Sequence, residues 1–272
     1  MIGTVTIKEI KEFLEDMKED AVSAYAAQAA FFIIMSAFPF IMLLLTLIQY
    51  LPVTEEVLIL MAQRTIPTAF NGYVISLIEE IYAKPSVAII SVTFVATVWA
   101  ASKSFLAIIR GCNSVYDIKE TRNYVELRLL ASLYTIVFAV VLVVTLTVMV
   151  FGNTIAIAVG EQFPILKEVA LLVISLRTAV GFGVMFLFFL ALYVAVPNRK
   201  GRITEEVPGA ILTSVGWISF SYLFSFYIDN FSNFDTYGSL TAIIFLMLWL
   251  YACMYMFFIG GEVNVWIQKR RK

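Results

Sequence analysis

The sequence predicts an all-α membrane protein, a polytopic bundle of six transmembrane helices with both termini on the cytoplasmic side. Three observations predict it. Of 272 residues, 61% are hydrophobic and only 14% are charged, against about half and about a quarter in a soluble domain. Apolar runs recur at spanning length, and a helix needs about 20 residues to cross ~30 Å of hydrocarbon. Lys and Arg concentrate on alternate connections between those runs.

Residues 6–20 read as an amphipathic helix. Thr6 and Glu9 fit a capping box, and Ile7, Ile10, Leu14 and Met17 line one side. Acids outnumber lysines on the remaining surface, so this helix is expected against the cytoplasmic face or the bundle, not as a basic lipid anchor. Residues 1–20 are too charged for a cleavable signal.

The first span covers 29–51 and contains Pro39, which frees a carbonyl and is expected to kink the helix. Residues 53–84 are too polar for a clean span and read as short amphipathic helices within 54–83, on the outer face. Glu55 and Glu56 suit a helix start. Val74, Leu77, Ile78 and Ile81 form an apolar stripe opposite Ser76, Glu79 and Glu80. Pro67, Asn71 and Gly72 are expected to separate the two helices. A lid, an interfacial helix pair and a passive loop all fit this segment.

The second span covers 87–109. The third, 129–151, carries no charge. The fourth, 169–196, contains Gly181 and Gly183, which permit close helix approach. The fifth covers 209–228, with Pro208 at its first turn, where a missing N–H costs little. The sixth covers 240–261. No internal repeat and no second domain interrupts this plan, so residues 1–272 read as one membrane domain.

Orientation follows from charge. Lys8, Lys11 and Lys18 precede the first span. Arg110, Lys119, Arg122 and Arg128 follow the second. Arg199, Lys200 and Arg202 follow the fourth, and Lys269, Arg270, Arg271 and Lys272 follow the sixth. The alternate connections carry only Arg64, Lys84 and Lys167. This asymmetry puts both termini in the cytoplasm, which requires an even number of crossings.

Composition also limits function. The net charge of −1 gives no basic surface for nucleic acid. Histidine is absent, which removes the commonest general base and metal ligand. Cys112 and Cys253 have neither metal-site nor disulfide spacing. No GxSxG, HExxH, Walker A or GxGxxG pattern occurs. The acid pairs Glu55/Glu56, Glu79/Glu80 and Glu205/Glu206 point about 100° apart on a helix, chelate poorly, and read as solvated helix ends. No catalytic residue, metal or cofactor is expected.

What remains is a set of polar groups at membrane depth. Lys103 follows an uncharged run of only 15 residues from 87 to 101, so the second span must continue past it. An ammonium there costs about 2.5–3.5 kcal/mol on insertion scales. Trp99, Lys103, Ala107, Arg110 and Ser114 share a side expected to face the interior or water, although Lys103 could instead snorkel to the interface. Glu262 is expected at similar depth, which suggests a Lys103–Glu262 ion pair; an interfacial carboxylate is the alternative. Arg177 is either buried in the outer half or an outer interfacial anchor. Ser214, Ser221 and Ser225 form a hydroxyl stripe on the fifth span, suited to packing or to a polar path. Gln28 and Asn264 stand at the cytoplasmic ends of the first and sixth spans.

Four stretches resemble the YihY/BrkB family of bacterial inner-membrane proteins: AYAAQAAFFIIMSAFPF from Ala24, WAASKSFLAIIRGCNSVY from Trp99, YVAVPNRKGRITEEVPGA from Tyr193 and YGSLTAIIFLMLWLYACMYMFFIGGEVN from Tyr237. They extend from the first span to the sixth. The resemblance places Lys103, Asn113, Pro197, Asn198, Pro208, Gly209, Tyr237, Gly238 and Asn264 in its motifs and implies a six-span protein of the bacterial cytoplasmic membrane. Relatives once carried a ribonuclease label, which a histidine-free sequence does not support. Some are regarded as virulence factors, and transport or lipid movement has been suggested.

The residues themselves add a mechanical reading. Pro197 cannot extend the fourth span, and Asn198 can bond backbone in the turn. Arg199, Lys200 and Arg202 then face anionic headgroups, at roughly 1 kcal/mol each near the surface. The functional expectation is a transporter or translocase of an amphipathic, anionic, lipid-like substrate, with membrane lipids as partners. The candidate substrate path comprises Lys103, Arg110, Gln28, Asn113, Arg177, Ser214, Ser221, Ser225, Glu262 and Asn264. A non-catalytic scaffold for membrane complexes is the alternative, and no oligomeric state is encoded.

Overall fold

The computed structural model describes residues 7–48, 54–65, 68–83, 87–142, 177–231 and 238–271. Among the described residues every regular element is an α-helix. These are α1 (Ile7–Glu19), α2 (Val22–Ile48), α3 (Glu55–Thr65), α4 (Thr68–Ala83), α5 (Val87–Val115), α6 (Tyr124–Leu142), α7 (Arg177–Ala195), α8 (Ile203–Phe231) and α9 (Gly238–Arg271). Among them α2, α5, α6, α8 and α9 are long and apolar enough to cross a membrane, and α7 contributes a shorter apolar stretch, Ala179–Ala195. These helices match the six expected spans. The end of the third span (143–151), the start of the fourth (169–176), Thr6 and Tyr237 lie outside the described residues.

The boundaries differ from expectation on one side of the spans. α2 begins at Val22, α5 continues to Val115, α8 opens at Ile203 and α9 continues to Arg271. Hydropathy ends a span at the first polar residue, but a helix continues while its polar side chains find partners in the protein. Pro208 consequently lies inside α8, not at its start.

Chain contacts divide the molecule into two compact units. One comprises Met1–Val22, Ile109–Ile218 and Met256–Lys272; the other comprises Ser23–Ile108 and Ser219–Tyr255.

Within the second unit, α3 and α4 pack through Ala62, Val74, Leu77 and Ile78, flanked by Met42, Leu58, Ile59 and Tyr82. Val74, Leu77 and Ile78 of the expected stripe therefore lie on the buried side of α4, the Ile81 side chain is outside what is described, and Ser76, Glu79 and Glu80 are exposed. Asn71 and Gly72 do not break the chain; both lie within α4. A helix tolerates one glycine at about 1 kcal/mol when packing holds it. α2 is continuous through Pro39. Buried Ser104 of α5 donates to the Ala29 carbonyl at 3.3 Å.

The first unit gathers the charged connections. Lys269 meets Asp16 at 2.9 Å, and Arg270 pairs with Glu9. The first and last described helices are thus joined, which accords with two termini on one side of a membrane. On α1 only Met17 is buried; Ile7 is 75% exposed, and Ile10 and Leu14 about half. The amphipathic stripe is left largely uncovered by protein, one residue pair before a spanning helix begins.

α5 ends in a Schellman-type turn. Asp117 adopts φ 52°, and the Ile118 N–H reaches the Asn113 carbonyl at 2.8 Å. α6 opens with a reciprocal cap: Glu126 N–H donates to Asn123 Oδ1 at 2.9 Å, and Asn123 N–H donates to Glu126 Oε2 at 3.2 Å.

Candidate functional site

The first unit contains a polar cluster built on the helix extensions and the two connections beside them. Its centre is Glu206, on the first turns of α8 and fully buried. Its Oε2 accepts from the Tyr116 hydroxyl at 2.5 Å and from Asn264 Nδ2 at 3.0 Å. Its Oε1 accepts from the Arg199 guanidinium and from Gln268 Nε2 at 3.3 Å. Arg199 also lies over the Tyr116 ring, 3.9 Å from its centroid, a stacking that suits a planar cation. Burial, followed by the nearby Glu206 charge, raises the Tyr116 phenol well above its usual range. A buried carboxylate is tolerated when its lone pairs and its charge are both matched, and Glu206 meets both conditions.

The Glu206 cluster rests on a close helix crossing. A β-carbon at Gly209 of α8 would overlap the carbonyl oxygen of Gly260 on α9, and one at Gly260 would overlap Thr213 Oγ1 and the Tyr193 hydroxyl. The Gly209 N–H donates to Asn264 Oδ1 at 2.6 Å. Tyr193 of α7 closes the seam: its hydroxyl donates to the Phe257 carbonyl at 2.5 Å and bonds Thr213 Oγ1 at 2.6 Å. Its ring stacks on Phe257 with centroids 4.9 Å apart. Tyr193→Phe is expected to lower stability by about 1–2 kcal/mol, since a buried hydroxyl and its partners lose their bonds. Thermal unfolding of the purified protein in detergent checks this.

A second cluster fastens the connections. Glu120 accepts from Arg122 Nε at 2.8 Å and Nη2 at 2.7 Å. Asn113 Nδ2 donates to Glu120 at 2.6 Å, and Asn113 Oδ1 accepts from the Asn198 N–H at 2.9 Å. Asn198 Nδ2 reaches Glu120 Oε1 at 3.0 Å and Thr121 Oγ1 at 2.9 Å. Hydrogen bonds from Arg122 hold the Glu120 carboxyl down at about 2.

The expected path residues distribute unevenly. Asn113 and Asn264 are buried in the two clusters, at 4% and 0% exposure. Glu262 is buried beside Asp20. In the other unit Lys103 lies over the Phe32 ring, 5.4 Å from the centroid. Ser214 is buried and bonds the Ala210 carbonyl of its own helix at 2.8 Å. Ser221 accepts from Trp249 Nε1 at 3.1 Å. Ser225, Gln28 and Arg110 are exposed. Arg177 opens α7, and its side chain lies outside what is described. Trp99, expected on an interior face, is 59% exposed.

The turn residues also sort differently. Pro197 is buried and Asn198 bonds the neighbouring connection. Arg199 turns into the protein toward Glu206, while Lys200 and Arg202 remain exposed. Two of the three cations thus remain exposed. Glu206 is a buried ion-pair partner, not a solvated helix end.

Sequence reasoning assigns no site role to Tyr116, Tyr193, Thr213, Gln268 and Glu120, and reads Glu206 as solvated. The available signal was pairing across connections: an acid or phenol beside each basic turn. A β-carbon at Gly181 or Gly183 meets nothing within 4 Å among the described residues, whereas close approaches are seen at Gly209 and Gly260.

Comparison with known proteins agrees with the membrane reading. A family model described as Virulence factor BrkB matches residues 13–272. YfkH of Bacillus subtilis, described as ribonuclease-like, is 34% identical over 249 residues, covering 91% of this chain and 90% of that protein. A UPF0761 membrane protein of Aliivibrio fischeri is 28% identical over 257 residues, covering 90% and 78%. Another from Alteromonas mediterranea is 24% identical over 267 residues, covering 92% and 84%. No solved structure matches. The chain is a multi-pass bacterial membrane protein.

Proposed function

We propose that this chain, which belongs to the Virulence factor BrkB family, moves an amphipathic, anionic, lipid-like substrate through its membrane. The observation that carries this reading is Lys103. It sits in the spanning stretch Ser91–Val115, between buried Ser102 and Ser104. Among the described residues its ammonium faces an aromatic ring and no carboxylate. A cation over a ring face gains modest stabilisation from the quadrupole and forms no ion pair by that contact. It therefore retains the capacity to meet a phosphate or carboxylate headgroup whose acyl chains stay in lipid. Exposed Arg110, Lys200 and Arg202 supply further positive charge on the first unit, at roughly 1 kcal/mol each toward anionic lipid.

The reading includes no bond-breaking step. The ribonuclease-like description belongs to the Bacillus relative, and a chain without histidine offers RNA hydrolysis no imidazole.

Lys103→Met is expected to abolish transfer of a fluorescent anionic phospholipid between the leaflets of reconstituted vesicles, with protein abundance preserved. Unchanged transfer in this variant removes the support for Lys103. Absence of transfer by the wild-type protein sinks the translocation reading and favours a membrane scaffold.

A further inference from the structure

α1 joins α2 through Asp20 and Ala21, and Ala21 adopts φ 52°. A residue with a β-carbon rarely enters that region, so contacts on either side must hold the turn. Asp20 supplies them. Its Oδ1 accepts from Ser114 Oγ of α5 at 3.1 Å, and its carboxyl lies within hydrogen-bonding reach of the Glu262 carboxyl on α9. Glu262 is 2% exposed, and its Oε1 is buried without a hydrogen-bond partner.

The charged groups facing the Asp20–Glu262 pair are Asp16 from α1 and Lys269 from α9; α5 presents the neutral Ser114. Lys269 Nζ is engaged by Asp16 at 2.9 Å on a mostly exposed flank. Three acids thus surround one cation that is already shared. Ionised carboxylates are acceptors only, so two of them cannot hydrogen-bond each other without a proton between them. Like charges at that range also cannot both persist in a buried place.

We propose that Asp20 and Glu262 form a proton-binding pair, which holds one shared proton at neutral pH and thereby fastens α1 to α9. Burial raises the Asp20 carboxyl above its ordinary range, and the Ser114 hydrogen bond offsets part of that rise. The sign follows: a group raised in the folded state stabilises the docked form at low pH, and that contribution is lost as pH rises through its folded value. Alkaline solution therefore leaves two adjacent like charges, one buried and one half-buried, and releases α1. The Asp16–Lys269 pair is largely exposed and the Glu9–Arg270 pair partly so, and solvent screening makes both weaker holds on the helix than a buried contact. This site is independent of whether the chain moves lipid.

The test is infrared difference spectroscopy of the full chain in nanodiscs, titrated from neutral to alkaline pH, with hydrogen exchange of α1 followed in parallel. The wild type should show a protonated-carboxyl C=O band at neutral pH that shifts in heavy water and vanishes on alkalinisation, as exchange in α1 rises at least tenfold. Glu262→Gln, which keeps a donor toward Asp20 at every pH, should hold α1 protected throughout; Asp20→Asn should behave likewise. The proposal is overturned by a wild-type spectrum lacking that band. It is equally overturned by alkaline release of α1 that persists in both variants. If the band is absent and added sodium or calcium protects α1, the pair binds a metal cation and not a proton. The wild-type titration alone decides the matter if neither variant folds.

Discussion

Gly209→Ala is expected to destabilise the protein by about 3 kcal/mol, the upper range for overpacking a tight interior. The added carbon would meet a backbone carbonyl of the facing helix, which cannot rotate away as a side chain could. Relief requires α8 and α9 to separate, and separation breaks the Gly209–Asn264 bond and loosens the Asn264–Glu206 bond. Gly260→Ala should cost a similar amount, because its neighbours Thr213 and Tyr193 are fixed by bonds to each other. Gly183→Ala is the contrast: with no described atom within 4 Å of the added carbon and helical backbone, it should be neutral or slightly stabilising. Denaturant unfolding in mixed micelles separates these outcomes. Equal behaviour of Gly209→Ala and Gly183→Ala would mean that the crossing is not close.

Glu206→Ala should be about as damaging, near 3 kcal/mol. Removing one partner of a buried pair strands the other, at about 3–5 kcal/mol. The lower end applies because the Arg199 side chain keeps 24% of its exposure. The loss also orphans the donors of Tyr116, Asn264 and Gln268. Arg199→Gln alone should cost less, since the carboxyl then retains three donors. A double-mutant cycle between the two should give a coupling of about 1–3 kcal/mol. Strict additivity would show that Arg199 and Glu206 act separately and that the network is incidental.

These effects fall on residues the sequence marked only weakly, and the reason is physical. Apolar run length reports desolvation of side chains, and it placed the spans well: Lys103 lies within one, as the short run before it required. Charge asymmetry reports sidedness, and the joined first and last helices agree with it. Neither signal reports which polar groups meet. Glu206 and Arg199 each resemble solvated charges on a connecting segment, and only the helix crossing at Gly209 turns them toward each other. Asn113 stands out through the family resemblance, and Asn198 and Asn264 also through their places beside the spans, but their partners Glu120, Tyr116 and Glu206 do not. A side chain's partner depends on tertiary approach, which one sequence encodes only indirectly. The hydroxyl stripe on α8 shows the converse: helical spacing aligned Ser214, Ser221 and Ser225, yet they range from buried to exposed along the helix.

The central claim is that the basic connections and both termini converge on one membrane face, where buried polar clusters lock them together. Cysteine labelling in sealed vesicles of both orientations tests it directly. The background should lack Cys112 and Cys253, and single cysteines should replace Lys11, Lys119, Lys200 and Lys269, with Gln63 on α3 as the opposite marker. The account predicts that the four label from one side with an impermeant maleimide, and that position 63 labels only from the other. Labelling of any of the four from the side that reaches position 63 would contradict it.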